Sequence, residues 1–241
     1  MEKGATPMQP VIQIINLCKL YRLADQNIDA LRGIDLTVMP GEFVTIIGQS
    51  GSGKSTLMNI LGCLDVPSSG TYLLRGLDTG TLDDEELSLI RNREIGFIFQ
   101  GFNLIPTLDA LENVELPLIY RGIKEKERKA LCTRALIRVG LQNRIHHKPN
   151  EMSGGQQQRV AIARAIASSP SLILADEPTG NLDRESTKEV LSLLQELHRG
   201  GSTIVLITHD DSIAASAERC IRVEDGKIIS DNRSKSQCAA G

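Results

Sequence analysis

Short apolar runs, not long alternating ones, set the plan of this chain. Phe43–Ile47, Leu172–Ala175 and Thr203–Thr208 are almost wholly apolar, as central parallel strands covered on both faces require. Gln156–Ala167 places Val160, Ala163, Ile166 and Ala167 at helical spacing, and Glu185–His198 reads as a helix between the last two strands. Ser55–Leu61 predicts a helix directly after Phe43–Ile47. Asp83–Arg91 predicts another, with acidic residues in its first turn where the helix dipole favours them. Ile12–Ile15 and Ile34–Val38 read as strands joined by a segment containing Tyr21. Pro67–Gly70 is a turn before a short strand, Tyr72–Leu74, and Ile95–Phe99 is a further strand. From Leu108 to Gly140 the pattern turns helical and charged, and Lys124–Arg128 reads as a solvated face. The expectation is a parallel-sheet core over residues 11–229, with a helical insertion at about 101–165. Residues 1–10 and 230–241, polar or small, are expected to be loose ends.

Two glycine-rich segments carry the candidate chemistry. Gly48, Gln49, Ser50, Gly51, Ser52, Gly53, Lys54 and Ser55, followed by Thr56, fit the pattern G-x-x-x-x-G-K-[ST] between a strand and a helix. Backbone N–H groups of such a loop wrap nucleotide phosphates, its lysine reaches the β- and γ-phosphates, and its Ser55 hydroxyl would ligate Mg²⁺. Leu172–Ala175 then runs into Asp176 and Glu177. The first carboxylate is placed to hold the metal and the second to polarise an attacking water. The second glycine segment, Ser153-Gly154-Gly155-Gln156-Gln157, offers bare donors ahead of another helix. One nucleotide needs one phosphate cradle. A second cradle suggests that each copy completes a site on another copy, so that ATP joins two subunits.

Composition narrows the function classes. The 241 residues are 41% hydrophobic, enough for a substantial core. A net charge of −3 leaves no broad basic field, and 3% aromatics without Trp leave no base-stacking platform. Nucleic acid is therefore not an expected partner. The five cysteines are scattered without a C-x-x-C pair, which reads as reduced thiols and not as disulfides or a zinc site. Met1–Pro10 has no apolar run of the signal-peptide kind, and no apolar stretch approaches the ~20 residues of a membrane span. The expectation is a soluble polypeptide whose membrane work would need another chain.

On these motifs the chain resembles the ATP-binding subunits of ABC transporters from Val11 to Ile229. That resemblance implies an α/β P-loop NTPase fold, with a RecA-like parallel sheet core, an antiparallel β subdomain and a helical insertion lobe. Ser153, Gly154, Gly155 and Gln156 match the family's signature, with Met152 in the usual leucine position, and would contact the γ-phosphate held by a partner's loop. Gln100 matches the glutamine that touches Mg²⁺ and links to the transmembrane partner. His209 matches the histidine that senses the γ-phosphate, Asp183 the loop that crosses the dimer interface, and Tyr21 the aromatic that stacks on adenine. Taken alone, Gln100 is a solvated strand end, His209 an ordinary histidine after a strand, Asp183 a helix N-cap, and Tyr21 a strand-end core residue. His146-His147 is read as an exposed linker, since adjacent side chains point apart.

Asn59–Asp65, Phe102–Pro106, Glu112–Pro117 and Ala175–Asp183 look like the subgroup of macrolide exporters (MacB type), lipoprotein-releasing ATPases (LolD type) and antimicrobial-peptide exporters. Gln156-Gln157-Gln158-Arg159 looks closer to the macrolide-exporter branch. The resemblance implies an ATPase, with ATP and Mg²⁺ bound, that forms a homodimer on ATP binding. It would drive integral membrane permease subunits from the cytoplasmic face as a peripheral protein, exporting a drug, peptide or lipoprotein-like cargo. Phe102–Pro106 would help form the groove for the permease, and the macrolide-exporter type adds a periplasmic adaptor. A soluble cassette ATPase acting on DNA or ribosomes would need a long coiled coil or a second cassette, and neither is in the sequence. A non-hydrolysing regulator of cell-division type would not need both Glu177 and His209.

Overall fold

The computed structural model describes residues 9–23, 26–214 and 216–233. Its chain runs β1 (Ile12–Leu23), β2 (Gln26–Val38), β3 (Phe43–Ile47), α1 (Lys54–Leu61), β4 (Ser69–Leu74), β5 (Leu77–Asp78), α2 (Asp84–Glu94) and β6 (Ile95–Phe99). There follow α3 (Ala110–Tyr120), α4 (Glu125–Arg138), α5 (Gly154–Ile166), β7 (Leu172–Asp176), α6 (Arg184–Arg199), β8 (Ile204–Thr208), α7 (Asp211–Ala214), β9 (Arg219–Glu224) and β10 (Lys227–Asn232).

The core sheet has the order β10-β9-β3-β8-β7-β6, with β9, β3, β8, β7 and β6 parallel and β10 antiparallel on the edge. Alternation within the apolar runs feeds two cores. Ile204 and Leu206 of β8 join Ile173, Val160, Leu194 and Val114 on one face, under α3, α4, α5 and α6. Val205 and Ile207 join Leu172, Leu174, Leu57 and Leu61 on the other, under α1 and the antiparallel sheet. A strand buried on both faces has no polar position to spare, which is why these runs are continuous. The second sheet, β2-β1-β4-β5, is antiparallel throughout. The parallel core, antiparallel sheet and helical segment agree with the expected fold class.

Three elements differ from the sequence reading. The segment holding Tyr21 is not a connection: β1 and β2 pair from Ile12↔Val38 to Leu23↔Gln26. Register shifts after Ile14, Leu17 and Lys19 and a left-handed Asn16 (φ 46°) break the alternation that would reveal one long strand. β9 lacks a run the eye can find, because Arg219 and Arg222 interrupt it. β10 continues to Asn232, past Ser230 where a loose tail was expected, held by pairing with β9 and by Asp231 on Arg219 (2.6 Å). The expected loose ends otherwise fall mainly on residues 1–8 and 234–241, outside the described residues. The same holds for Cys238.

Candidate active site

Parallel order brings the C-terminal ends of β3, β8, β7 and β6 to one edge of the sheet, where ligands of open α/β folds bind. The glycine loop leaves β3 there. Gly51 and Gly53 have φ of 82° and 103°, values that side chains rarely tolerate. A Cβ on Gly53 would lie 2.5 Å from the Ala30 carbonyl oxygen, and one on Gly48 would overlap that of Val223. The turn between β9 and β10 completes the seat: Gly226 N–H donates to the Ser52 carbonyl (3.0 Å), and Arg32 N–H donates to Gly226 (2.8 Å). Lys54 opens α1 and donates to the Gly48 and Gln49 carbonyls at 2.6 and 2.7 Å. Burial lowers its pKa, while the Glu177 and Asp176 carboxylates pull the other way.

Asp176 ends β7, half-buried. Burial and then repulsion from Glu177 raise its pKa, against the pull of Lys54. Glu177 sits in the left-handed region at φ 45°. Its Oε2 accepts from Thr208 Oγ1 (3.1 Å), and its Oε1 accepts from the His209 backbone N–H (3.0 Å) and lies 2.6 Å from His209 Nδ1. The end of β8 therefore orients this carboxylate. Gln100, one residue past β6, donates to Asn181 Oδ1 and accepts from Asn181 Nδ2 through its carbonyl, both at 3.1 Å. Tyr21 donates to Asp65 Oδ2 (2.8 Å), and Lys19 Nζ lies 2.6 Å from Asp65 Oδ1 and 5.0 Å from the Tyr21 ring centre. These anchors hold the ring at the mouth of the site instead of in the core.

Tyr21, Ser50, Gly51, Gly53, Lys54, Ser55, Thr56, Gln100, Asp176, Glu177 and His209 all line one cavity of about 830 Å³. Of the same glycine loop Gly48, Gln49 and Ser52 do not line it, and neither do Ser153, Gly154, Gly155, Gln156 and Asp183. Ser153 instead caps α5, accepting from Gln156 N–H (3.3 Å) while its own N–H donates to Gln156 Oε1 (3.1 Å). Asp183 caps α6, accepting from the Glu185 and Ser186 N–H groups at 3.0 Å, and these bonds lower its pKa. A Cβ on Gly155 would lie 2.6 Å from Ser186 Oγ, so the starts of α5 and α6 abut. The cavity walls that sequence reasoning missed are Ile28–Ala30, Arg32, Ile207 and Asp225-Gly226. The Asp-Gly pair is a hairpin-turn signal that was there to be read.

The residues present fit a nucleoside triphosphate with Mg²⁺. The cradle excludes side chains where phosphates would approach the backbone. Ser55, Gln100 and Asp176 offer hard oxygen donors, the kind Mg²⁺ takes beside phosphate oxygens. Among the described residues no cluster of three or more His, Cys, Asp or Glu is placed to hold a metal ion. Buried Cys63 and Cys132 are pushed up to about 11 and about 12, mainly by burial, and are inert thiols.

A glycine cradle on a central parallel strand, with a lysine and two carboxylates at the neighbouring strand ends, defines a P-loop nucleotide-binding protein. The family model described as ABC transporter matches residues 31–180, and the chain belongs to that family. It is 52% identical over 223 residues to the uncharacterized ABC transporter ATP-binding protein YvrO of Bacillus subtilis, covering 92% of this chain and 97% of that one. It is 50% identical over 230 residues to the macrolide export ATP-binding/permease protein MacB of Hyphomonas neptunium, covering 95% of this chain and 36% of that protein. The chain thus spans about a third of the macrolide export relatives it matches. Its fold superposes on the dimeric structure of MJ0796, a bacterial ABC transporter cassette, with a TM-score of 0.84 at 46% identity, over 92% of this chain and 98% of that one. A post-hydrolysis state of that cassette, bound to ADP and Pi, matches equally well, with a TM-score of 0.84 at 45% identity.

Proposed function

We propose that this chain binds and hydrolyses ATP as the motor subunit of an ABC transporter, closing as a homodimer around two ATP–Mg²⁺. The observation that carries the reading is the division of the candidate site. Lys54, Ser55, Gln100, Asp176, Glu177 and His209 converge on one cavity, while Ser153–Gln156 and Asp183 stand together elsewhere on the chain. A second copy supplies the missing face.

In this reading, Tyr21 stacks on the base, and the N–H groups of Gly48–Thr56 bind the β- and γ-phosphates. Lys54 releases the Gly48 and Gln49 carbonyls to reach the same oxygens. Ser55, Asp176 and Gln100 would hold Mg²⁺, which supplies charge neutralisation when bound. Glu177, aligned by Thr208 and His209, polarises the attacking water, and His209 senses the γ-phosphate. Catalysis is by positioning and charge, since phosphoryl transfer asks for little covalent help. The helix start at Ser153–Gln156 presents the positive end of α5 to the partner's γ-phosphate.

Among the described residues no helix is long and apolar enough to cross a membrane; in this reading the transport step lies with permease segments. A second groove, of about 740 Å³, suits a short cytoplasmic helix of that permease: Leu64, Leu89, Phe97, Pro117 and Tyr120 line it between the core and the helical segment. Of the expected Phe102–Pro106 segment, Asn103 lines it, while Arg164 ties down the Phe102 and Asn103 carbonyls (2.8 and 2.5 Å). The site of work is the cytoplasmic face of the membrane. Export of a drug, peptide or lipoprotein-like cargo, with a periplasmic adaptor, follows from likeness to the macrolide export proteins. Glu177→Gln tests the motor: it should accumulate an ATP-bound dimer by sedimentation, with turnover down about a hundredfold or more. Normal hydrolysis by this variant removes Glu177 from the mechanism, and a strictly monomeric ATP-bound variant removes the shared site.

A further inference from the structure

Gln158 lies one turn beyond the glycines that start α5 and is fully buried. Its Nε2 donates to the Pro178 carbonyl at 2.6 Å and to the Phe99 carbonyl at 3.4 Å. Both neighbours are carbonyl oxygens, which fixes the amide's NH₂ end toward them. Pro178 has no N–H, so its carbonyl is its one backbone hydrogen-bonding group, and it directly follows Glu177. Phe99 directly precedes Gln100. One side chain on α5 thus grips the backbone beside both of these site residues.

Gln158 Oε1 is buried without a hydrogen-bond partner. An unpaired buried acceptor is unfavourable, and an apolar side chain of equal length would fill the same space without it. The NH₂ grip is therefore the contribution that distinguishes Gln from a packing residue. What it holds is strained: Glu177 is non-glycine at φ 45°, a conformation that persists only where its surroundings enforce it. Ile207 O accepts from the Glu177 N–H (2.9 Å), so the strand side is pinned by β8, and beyond the residue Gly180 N–H donates to the Glu177 carbonyl (3.0 Å). The next carbonyl, that of Pro178, is held by Gln158.

We propose that Gln158 is a positioning residue for ATP hydrolysis, tying the helix that meets the partner's nucleotide to the backbone that aims Glu177 in its own chain. An α5 engaged at the dimer face then sets the base at the other site of the same subunit. This inference rests on Glu177 polarising the attacking water.

Two variants of the full chain test it. Gln158→Met keeps length and burial but removes the donor. It should fold, bind ATP and, in a Glu177→Gln background, still form the ATP-bound dimer. Its kcat should fall about ten- to a hundredfold, as for a misplaced catalytic group, with KM little changed. Gln158→Glu separates the donor from the packing by pH: a protonated carboxyl donates to the Pro178 carbonyl, a carboxylate repels it. Its kcat relative to wild type should rise as pH falls from about 8.5 to about 6, the range into which burial lifts a carboxyl. This second readout holds whether or not the methionine variant folds. Wild-type turnover by Gln158→Met, or a pH-independent ratio for Gln158→Glu, overturns the proposal. If Glu177→Gln itself turns over normally, the reading of the site fails first; if it is blocked while Gln158→Met is normal, only this inference falls.

Discussion

Gly48–Ser55 and Ser153–Gln157 both place glycine at the start of a helix, but they are built on opposite terms. The first is wedged under its own chain, with Gly53 at φ 103° against the Ala30 carbonyl and Ser52 bonded to the β9–β10 turn. The second is a regular capped helix start, with Gly154 and Gly155 inside α5 and Ser153 in a reciprocal bond with Gln156. In the proposed reading, the loop that holds phosphates is shaped in advance by tertiary contacts, whereas the helix end offered to a second copy is shaped mainly by its own cap.

The largest effect that sharpens this contrast is at Lys54. Lys54→Ala should lower kcat about 10²–10³-fold, as loss of a transition-state donor does, without unfolding the chain. A phosphate-release assay beside a thermal melt checks both halves. Next comes a paired glycine test. Gly53→Ala forces a side chain into a left-handed position and against backbone, and should cost about 1–3 kcal/mol of stability. Gly154→Ala meets nothing nearer than Leu182 Cδ2 at 3.4 Å inside a helix, so stability should hold within about 0.5 kcal/mol. Its loss should appear in ATP-driven association. Equal melting shifts for the two would abolish the distinction between the two helix starts.

A pH effect should follow at the strands that carry the β9–β10 turn. The Arg219 guanidinium holds the Asp231 pKa below the usual carboxylate range. A depressed folded pKa means stability that is present above the unfolded value of about 3.9 and lost as pH falls through the folded value. Melts from pH about 5 to about 2 should therefore show a steeper acid decline for wild type than for Asp231→Asn. Parallel declines would leave the pair without a role. The smallest effect is expected at Tyr21→Phe, which keeps the ring and loses the Asp65 bond. The ATP Kd should rise by about threefold or less, whereas Tyr21→Ala should cost about 1–3 kcal/mol of stacking.

Legibility followed the range of the interactions. Phe43–Ile47 and Ile95–Phe99 coincide with β3 and β6, because strands buried on both faces are written as unbroken apolar runs. β9 escaped because Arg219 is an apolar-face intruder made acceptable by Glu42 and Asp231, far from it in sequence. In the site, Lys54 was found after the glycine loop and Asp176, Glu177, Gln100 and His209 at strand ends, yet what holds them was not. Thr208 on Glu177, Asp65 on Tyr21 and Gly226 on Ser52 are contacts between residues that local pattern does not connect.

By itself the sequence determined which residue types stand at which strand ends, since apolar periodicity and glycine spacing are local and survive in one dimension. It also determined that two glycine-rich helix starts lie on one chain. Only the tertiary structure decided that they face different places, that Glu177 is aimed by β8, and that Gln158 grips the backbone beside it. Those outcomes depend on strand order, since parallel pairing brings distant ends together and no local pattern encodes which strand becomes whose neighbour.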